Sequence, residues 1–321
     1  MLRISILALT WAVLTASAAV KIEKTAWKGW PNCYRISNGE VELIVTTDVG
    51  PRIMHYSFVG GRNIFKEFDE QLGKSGEGEW MPRGGHRLWM GPEHEKLTYA
   101  LDNAPVKIET ANNVVTLTQP IEKETGLEKQ IVIKLADTGS NVEVLHRIRN
   151  TRNKPLELAP WALTMMAQGG VGITGFPPRG THPEMLQPTN PLVMWAFTDF
   201  SDKRWTFTTK YLILRQDPKV KDAEKIGLFN ANTWGAYLLG SALFVKRFKA
   251  SAKGPYPDFG SSYETFTNNE FLELETLGPI VTLKPNAHVE HTERWSLHKD
   301  VKIRAFTDET LDKVLLPLVS R

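Results

Sequence analysis

Asn268-Asn269-Glu270-Phe271-Leu272-Glu273-Leu274-Glu275-Thr276-Leu277-Gly278-Pro279 reads as one strand between two sets of turn formers. A strand alternates its side chains with period two. Phe271, Glu273 and Glu275 therefore share one face, and Leu272, Leu274 and Thr276 the other. The leucine face seeks a core. The opposite face carries two carboxylates beside an aromatic ring. On an open sheet that face is simply solvated. On the concave face of a curved sheet, partial burial and mutual repulsion raise one carboxyl pKa into the range useful for proton transfer.

Outward from this segment the same grammar recurs. Residues 41–45 follow the turn Asn38-Gly39, and residues 114–118 follow Asn112-Asn113. Residues 129–134 alternate, with Ile131 and Ile133 on one face. In residues 141–148, Val142, Val144, His146 and Ile148 share a face. His146, on that otherwise apolar face, reads as a satisfied core histidine. Further strands are expected at 205–209, 211–215, 236–239, 242–246, 280–283 and 289–297. This predicts an all-β chain, with two large antiparallel sheets stacked in one domain over residues 20–321. Few short helices are expected; one is over 309–316, capped by Asp308 and stopped by Pro317. Residues 169–191, rich in Gly, Pro and Thr, read as a long functional or edge loop.

Arg3, an apolar run at 4–14 and Ala16-Ser17-Ala18 have the order of a secretory leader over residues 1–19. A periplasmic or secreted protein is expected. The apolar run is too short to span a bilayer, so no membrane insertion is expected. The formal net charge is +3, with no block of Lys and Arg, which argues against nucleic acid as a partner. Cys33 is the single cysteine, so no intrachain disulfide can form, and it reads as a small, partly buried residue. No Gly-x-Ser-x-Gly elbow, phosphate loop or dinucleotide fingerprint occurs. His86, Glu93 and His94 match no zinc spacing, and no calcium loop is recognisable. No cofactor and no metal are expected.

Gly84-Gly85-His86-Arg87-Leu88-Trp89-Met90-Gly91-Pro92-Glu93-His94 gathers two histidines, an arginine, a carboxylate and a tryptophan between glycines. It reads as a loop that lines a site for a polar ring molecule. The Trp covers C–H groups and the charged groups reach oxygens.

Leu274-Glu275-Thr276 resembles the late strand of the galactose mutarotase (aldose 1-epimerase) family, where the Glu of a Leu-Glu-Thr run is the general base. Leu283-Lys284-Pro285-Asn286 and His291-Thr292-Glu293-Arg294-Trp295-Ser296-Leu297 are similar to that family's closing turn and last strand. Asp48-Val49-Gly50-Pro51-Arg52-Ile53 is similar to its early Gly-x-Arg-Ile turn. The chain most resembles uncharacterised secreted bacterial members of the superfamily, which carry similar Gly-Gly-His-Arg-Leu-Trp and Leu-Glu-Leu-Glu-Thr-Leu-Gly-Pro motifs. The resemblance implies a galactose mutarotase-like β-supersandwich with a sugar-sized cleft on its concave face. It also implies a sugar or oligosaccharide partner and Glu275 as base.

One departure stands out. The family places its general acid, a His, shortly after a mid-chain Asn and Pro turn. Residues 150–163 here carry Trp161 and no His. His86 is the expected substitute, with His94 in reserve. In the implied reaction Glu275 takes the O1 proton and His86 protonates the ring oxygen, so the ring opens and recloses as the other anomer. Arg52 and Arg87 orient the sugar through forked contacts. Glu273 tunes Glu275 or binds a hydroxyl. Trp89, Trp161 and Trp234 offer stacking platforms, and Tyr263 lies in a loop able to line the cleft. Two other functions stay open: a carbohydrate-binding protein without turnover, and a lyase acting on uronate polymers.

Overall fold

The computed structural model describes residues 19–320. The expected leader falls outside these residues except for its last position. Two antiparallel sheets stack face to face. The first runs in the order β1 (Lys21–Trp27), β2 (Trp30–Ser37), β3 (Val41–Thr46), β4 (Arg52–Phe58), β5 (His86–Gly91), β10 (Leu156–Met166), β19 (Leu272–Leu277), β18 (Tyr263–Thr267), β15 (Glu224–Leu228) and β12 (Leu192–Met194), and β20 (Val281–Leu283) pairs with one end of β10. The second runs β13 (Trp205–Phe207), β14 (Tyr211–Arg215), β11 (Val171–Gly175), β16 (Trp234–Leu239), β17 (Ala242–Arg247), β21 (His288–His298), β9 (Val142–Asn150), β8 (Leu127–Leu135), β7 (Val114–Thr118) and β6 (Lys107–Ala111).

The core lies between the sheets. Val142, Val144 and Ile148 point into it, as their alternation predicts. Leu272 and Leu274 meet them from the first sheet. At its centre Phe65, Phe244 and Trp295 pack edge to face, with ring centres 5.6–5.8 Å apart. Each such buried side chain contributes about 1.5–3 kcal/mol, which lets the core hold the fold without a cross-link. Cys33 is fully buried beside Trp30, Ile44 and Met54, and burial pushes its thiol up to about 11.

The C-terminal helix, Asp308–Val319, lays Leu311, Leu315 and Val319 on the outer face of the second sheet. Its cap is Thr307, whose hydroxyl accepts the Thr310 N–H, and not Asp308 as expected. Pro317 sits inside the helix, which closes three residues later than predicted. Among the described residues no helix is long and apolar enough to cross a membrane.

Two expected loops are otherwise. Residues 171–175 form β11, so the irregular stretch starts only after it. More consequentially, His86–Gly91 is a central strand buried at every position. Covered on both faces, it shows no polar alternation to announce itself. The preceding glycines have φ of +90° and +69°, and a Cβ at Gly84 would strike the Lys66 carbonyl.

Candidate active site on the first sheet

The central strands of the first sheet turn one face to the core and the other to a cleft of about 420 Å³. Strand register lays the cleft floor out in rows. Arg52, Arg87, Leu163, Glu275 and Glu264 stand side by side across β4, β5, β10, β19 and β18. One pleat away lie Met165, Glu273, Phe266 and Lys225; on the other side, Trp89 and Trp161. Phe271, Glu273 and Glu275 all line the cleft, as the alternation of their segment predicts.

The floor is ionic and the walls are aromatic. Arg87 Nη1 donates to Glu273 Oε1 at 3.0 Å. The Arg87 guanidinium lies 4.1 Å from the Trp89 ring centre and 5.3 Å from that of Trp80. Lys225 Nζ lies 2.7 Å from Glu264 Oε2 and 3.2 Å from Glu275 Oε2, between the rings of Trp161 and Trp195. Trp161 Nε1 donates to Glu275 Oε2 at 3.0 Å. Burial pushes the Glu273 carboxyl up to about 6, against the pull of Arg87 and with the repulsion of Glu275. Burial alone would lower Lys225, but Glu275 and Glu264 outweigh it and raise it.

Five polar atoms here are buried without a hydrogen-bond partner: Arg87 Nε, Trp80 Nε1, Glu275 Oε1 and both oxygens of Glu264, of which Oε2 has only its ion pair with Lys225. Such atoms are expensive to leave bare.

Several expected site residues stand elsewhere. His86 precedes Arg87 in the same strand, so its ring must take the opposite face. It is fully buried between the sheets, where Nε2 meets His146 Nε2 at 2.7 Å and Nδ1 meets the Thr164 hydroxyl at 2.8 Å. It cannot serve as the acid for a cleft ligand. Tyr263 is the first residue of β18 and not part of a loop. It points away from neighbouring Glu264, into the core, where it stacks on Phe248. Arg52 is fully buried: it is paired with Asp102 at 2.8 Å, and its remaining N–H groups donate to the carbonyls of Met81, Pro82 and Gly84. It pins the segment that carries Trp80 and has no open edge for a hydroxyl. Trp234 sits on β16 of the other sheet. His94 is exposed, and its ring accepts backbone N–H groups of its own turn. Arg87, Trp89, Trp161, Glu273 and Glu275 do converge on the cleft.

Lys225, Glu264, Trp80 and Trp195 escaped the sequence reading. The run Tyr263-Glu264-Thr265-Phe266-Thr267 before Asn268-Asn269 is a hairpin arm facing 272–277, and that signal would have placed Glu264 beside Glu275.

Behind the floor lies a closed polar network. His146 Nδ1 donates to the His291 carbonyl at 2.9 Å, so its Nε2 accepts from His86. Glu293 takes hydrogen bonds from Thr276, Trp295 and Lys246. Donor atoms of His86, His146 and Glu293 lie within 4.8 Å of one another. At 2.7 Å, however, the two imidazole nitrogens are closer than the roughly 3.3 Å that two ligands of a tetrahedral zinc keep. Burial lowers all three imidazoles, His291 to about 3, so the network holds neutral rings.

No family model matches the chain, and no curated protein matches it. Solved structures do. A galactose mutarotase-like protein from Lactobacillus casei superposes with a TM-score of 0.56 at 11% identity, covering 83% of this chain and 100% of its own. A galactose mutarotase related enzyme from Lactobacillus acidophilus gives 0.53 at 9% identity, covering 84% and 98%. A proposed aldose 1-epimerase from Klebsiella pneumoniae gives 0.55 at 11%, covering 87% and 83%. At such identities the likeness is one of fold: the chain has the galactose mutarotase-like β-sandwich fold.

Proposed function

We propose that the cleft binds an uncharged sugar and moves protons at its anomeric centre. The observation that carries this reading is the mixed set of bare polar atoms: Arg87 Nε and Trp80 Nε1 as donors, Glu275 Oε1 as an acceptor. A hydroxyl both donates and accepts, so neighbouring ring hydroxyls match such a set, while the tryptophans match the C–H faces.

Glu275 is the base. Trp161 and Lys225 hold its Oε2, leaving Oε1 to take the O1 proton. As C1=O forms, the bond from C1 to the ring oxygen breaks and the ring oxygen takes up a proton. Glu273, with its carboxyl near 6, is the group that supplies it in place of His86. Reclosure on the other face of the carbonyl reverses each step and gives the second anomer.

Arg87 is paired with Glu273, and Lys225 with Glu264 and Glu275, so both cations of the floor are already engaged. That disfavours a uronate ring, and with it the lyase reading. Binding without turnover is the second reading. It is favoured by the complete burial of Glu275 beneath Lys225 and Trp161. The leader-like residues 1–19 support an exported protein in either case.

NMR of anomer interconversion over a panel of aldoses, with calorimetry alongside, tests the proposal. Glu275→Gln should slow interconversion by about 10²–10⁴-fold while retaining affinity. A wild-type rate in the variant removes Glu275 as base. Sugar binding by the wild type without interconversion leaves the second reading.

A further inference from the structure

We propose that Glu264 is a positioning residue for Glu275: the two carboxyls hold one proton between their inner oxygens while Lys225 spans the outer pair. The inference rests on the reading of Glu275 as the working carboxylate of the cleft.

Glu264 and Glu275 are direct cross-strand partners on β18 and β19. Side chains so placed have Cβ atoms about 4.5–5.5 Å apart, within easy reach of one another. The Lys225 ammonium contacts one Oε2 of each, at 2.7 and 3.2 Å. Both Oε1 atoms are buried without a hydrogen-bond partner, and Glu264 Oε2 has only the Lys225 ion pair. Two ionised carboxylates would set two negative charges against a single ammonium in a dry site. One proton removes the repulsion and turns one bare acceptor into a donor for the other.

The donors decide where that proton sits. Glu275 Oε2 receives both Trp161 Nε1 and Lys225 Nζ, whereas Glu264 has Lys225 alone. Glu275 is thus the better supported anion, and Glu264 carries the proton. The charged groups around the pair agree. Among the described residues Lys225 on β15 is the one cation paired with both carboxyls. Arg87 on β5 is spent on Glu273 of β19, and Asp258, in the turn 257–260, adds further negative charge. Burial pushes the Glu264 carboxyl well above the usual range; Lys225 opposes this, and Glu275 and Asp258 reinforce it.

The arrangement fixes the rotamer of Glu275 from one side. A carboxylate oxygen has two acceptor sites, so Oε1 can take the bond from Glu264 and still face a hydroxyl.

Two measurements that need no sugar test this, so failure of turnover and failure of the proton-sharing pair are distinguishable. The first is the melting temperature of Glu264→Gln relative to wild type, from about pH 5 to about pH 8. A carboxyl with a raised native pKa loses stability as pH climbs past its unfolded value, and an amide does not. The variant should gain on the wild type by a few degrees as pH rises. If Glu264 is instead the ionised partner of Lys225, the variant gains nothing on the wild type over this range, and the proposal is overturned. The second is carboxyl-carbon NMR of glutamate-labelled wild-type protein at neutral pH. One buried side chain should report as protonated, and its signal should vanish in Glu264→Gln. If all the buried carboxyls are ionised, the proposal fails, whether or not the variant folds.

Discussion

His86 and Arg87 are neighbours in the chain and serve opposite faces of one strand: the guanidinium reaches Glu273 at 3.0 Å in the cleft, the imidazole His146 at 2.7 Å in the core. His86→Ala should therefore behave as a core mutation. It strips His146 of its donor and opens a cavity, with an expected loss of about 2–4 kcal/mol. Sugar affinity, measured by calorimetry below the melting transition, should stay within about twofold. A selective loss of affinity in a stable variant would restore His86 to the site.

Lys225→Met removes the cation shared by Glu264 and Glu275. At neutral pH this should cost about 3–5 kcal/mol, because buried carboxylates lose their partner. Their pKa values then rise, and a raised carboxyl costs stability as pH increases. The defect should therefore shrink on acidification toward about pH 5. Urea unfolding at the two pH values checks the sign.

Trp161→Phe keeps an aromatic face and deletes the N–H that holds Glu275 Oε2. The expected result is a loss of about 1–3 kcal/mol in stability and a larger fall in turnover than in affinity. Equal falls in both would mean that the ring, and not its N–H, is what matters.

Arg52→Lys tests a role at one remove. Arg52 spreads its N–H groups over Asp102 and three carbonyls, and an ammonium cannot fill all of these. Trp80, whose ring centre is 5.7 Å from the guanidinium, should loosen. Its fluorescence should change and sugar affinity drop by roughly tenfold, about 1.4 kcal/mol. Unchanged affinity in the folded variant would show that binding does not use Trp80.

Glu273 titrates near 6, and the proposed reaction uses its protonated form. Interconversion should thus decline as pH rises through about 6, since the acid is lost on that side. A rate that climbs over the same interval would assign Glu273 another task.

Much of the architecture was legible in the sequence, because strands with one wet face advertise themselves. The alternating runs at 114–118 and 129–134 fall on strands whose second face is at least partly exposed. The strands that build the floor were the hard ones. His86–Gly91 and Glu224–Leu228 are buried at every position, so neither shows the period that marks a strand. That is why Arg87 and Trp89 could be found while His86 was placed on the wrong face: composition named the right segment, but only strand geometry separates odd from even positions. Lys225 stayed hidden for the same reason. Its charge lies in an otherwise ordinary run, and its meaning arises from two glutamates 39 and 50 positions away in the chain.

Cys33, fully buried in its small apolar cluster, gives every one of these experiments an internal control. A lone thiol sealed from solvent reacts with an aqueous reagent only when the surrounding hairpin opens. The rate of its labelling is therefore a clock for native-state opening, read without adding a reporter. A variant whose Cys33 stays silent has kept this edge of the first sheet closed, so a change in what its cleft does has not come from opening there.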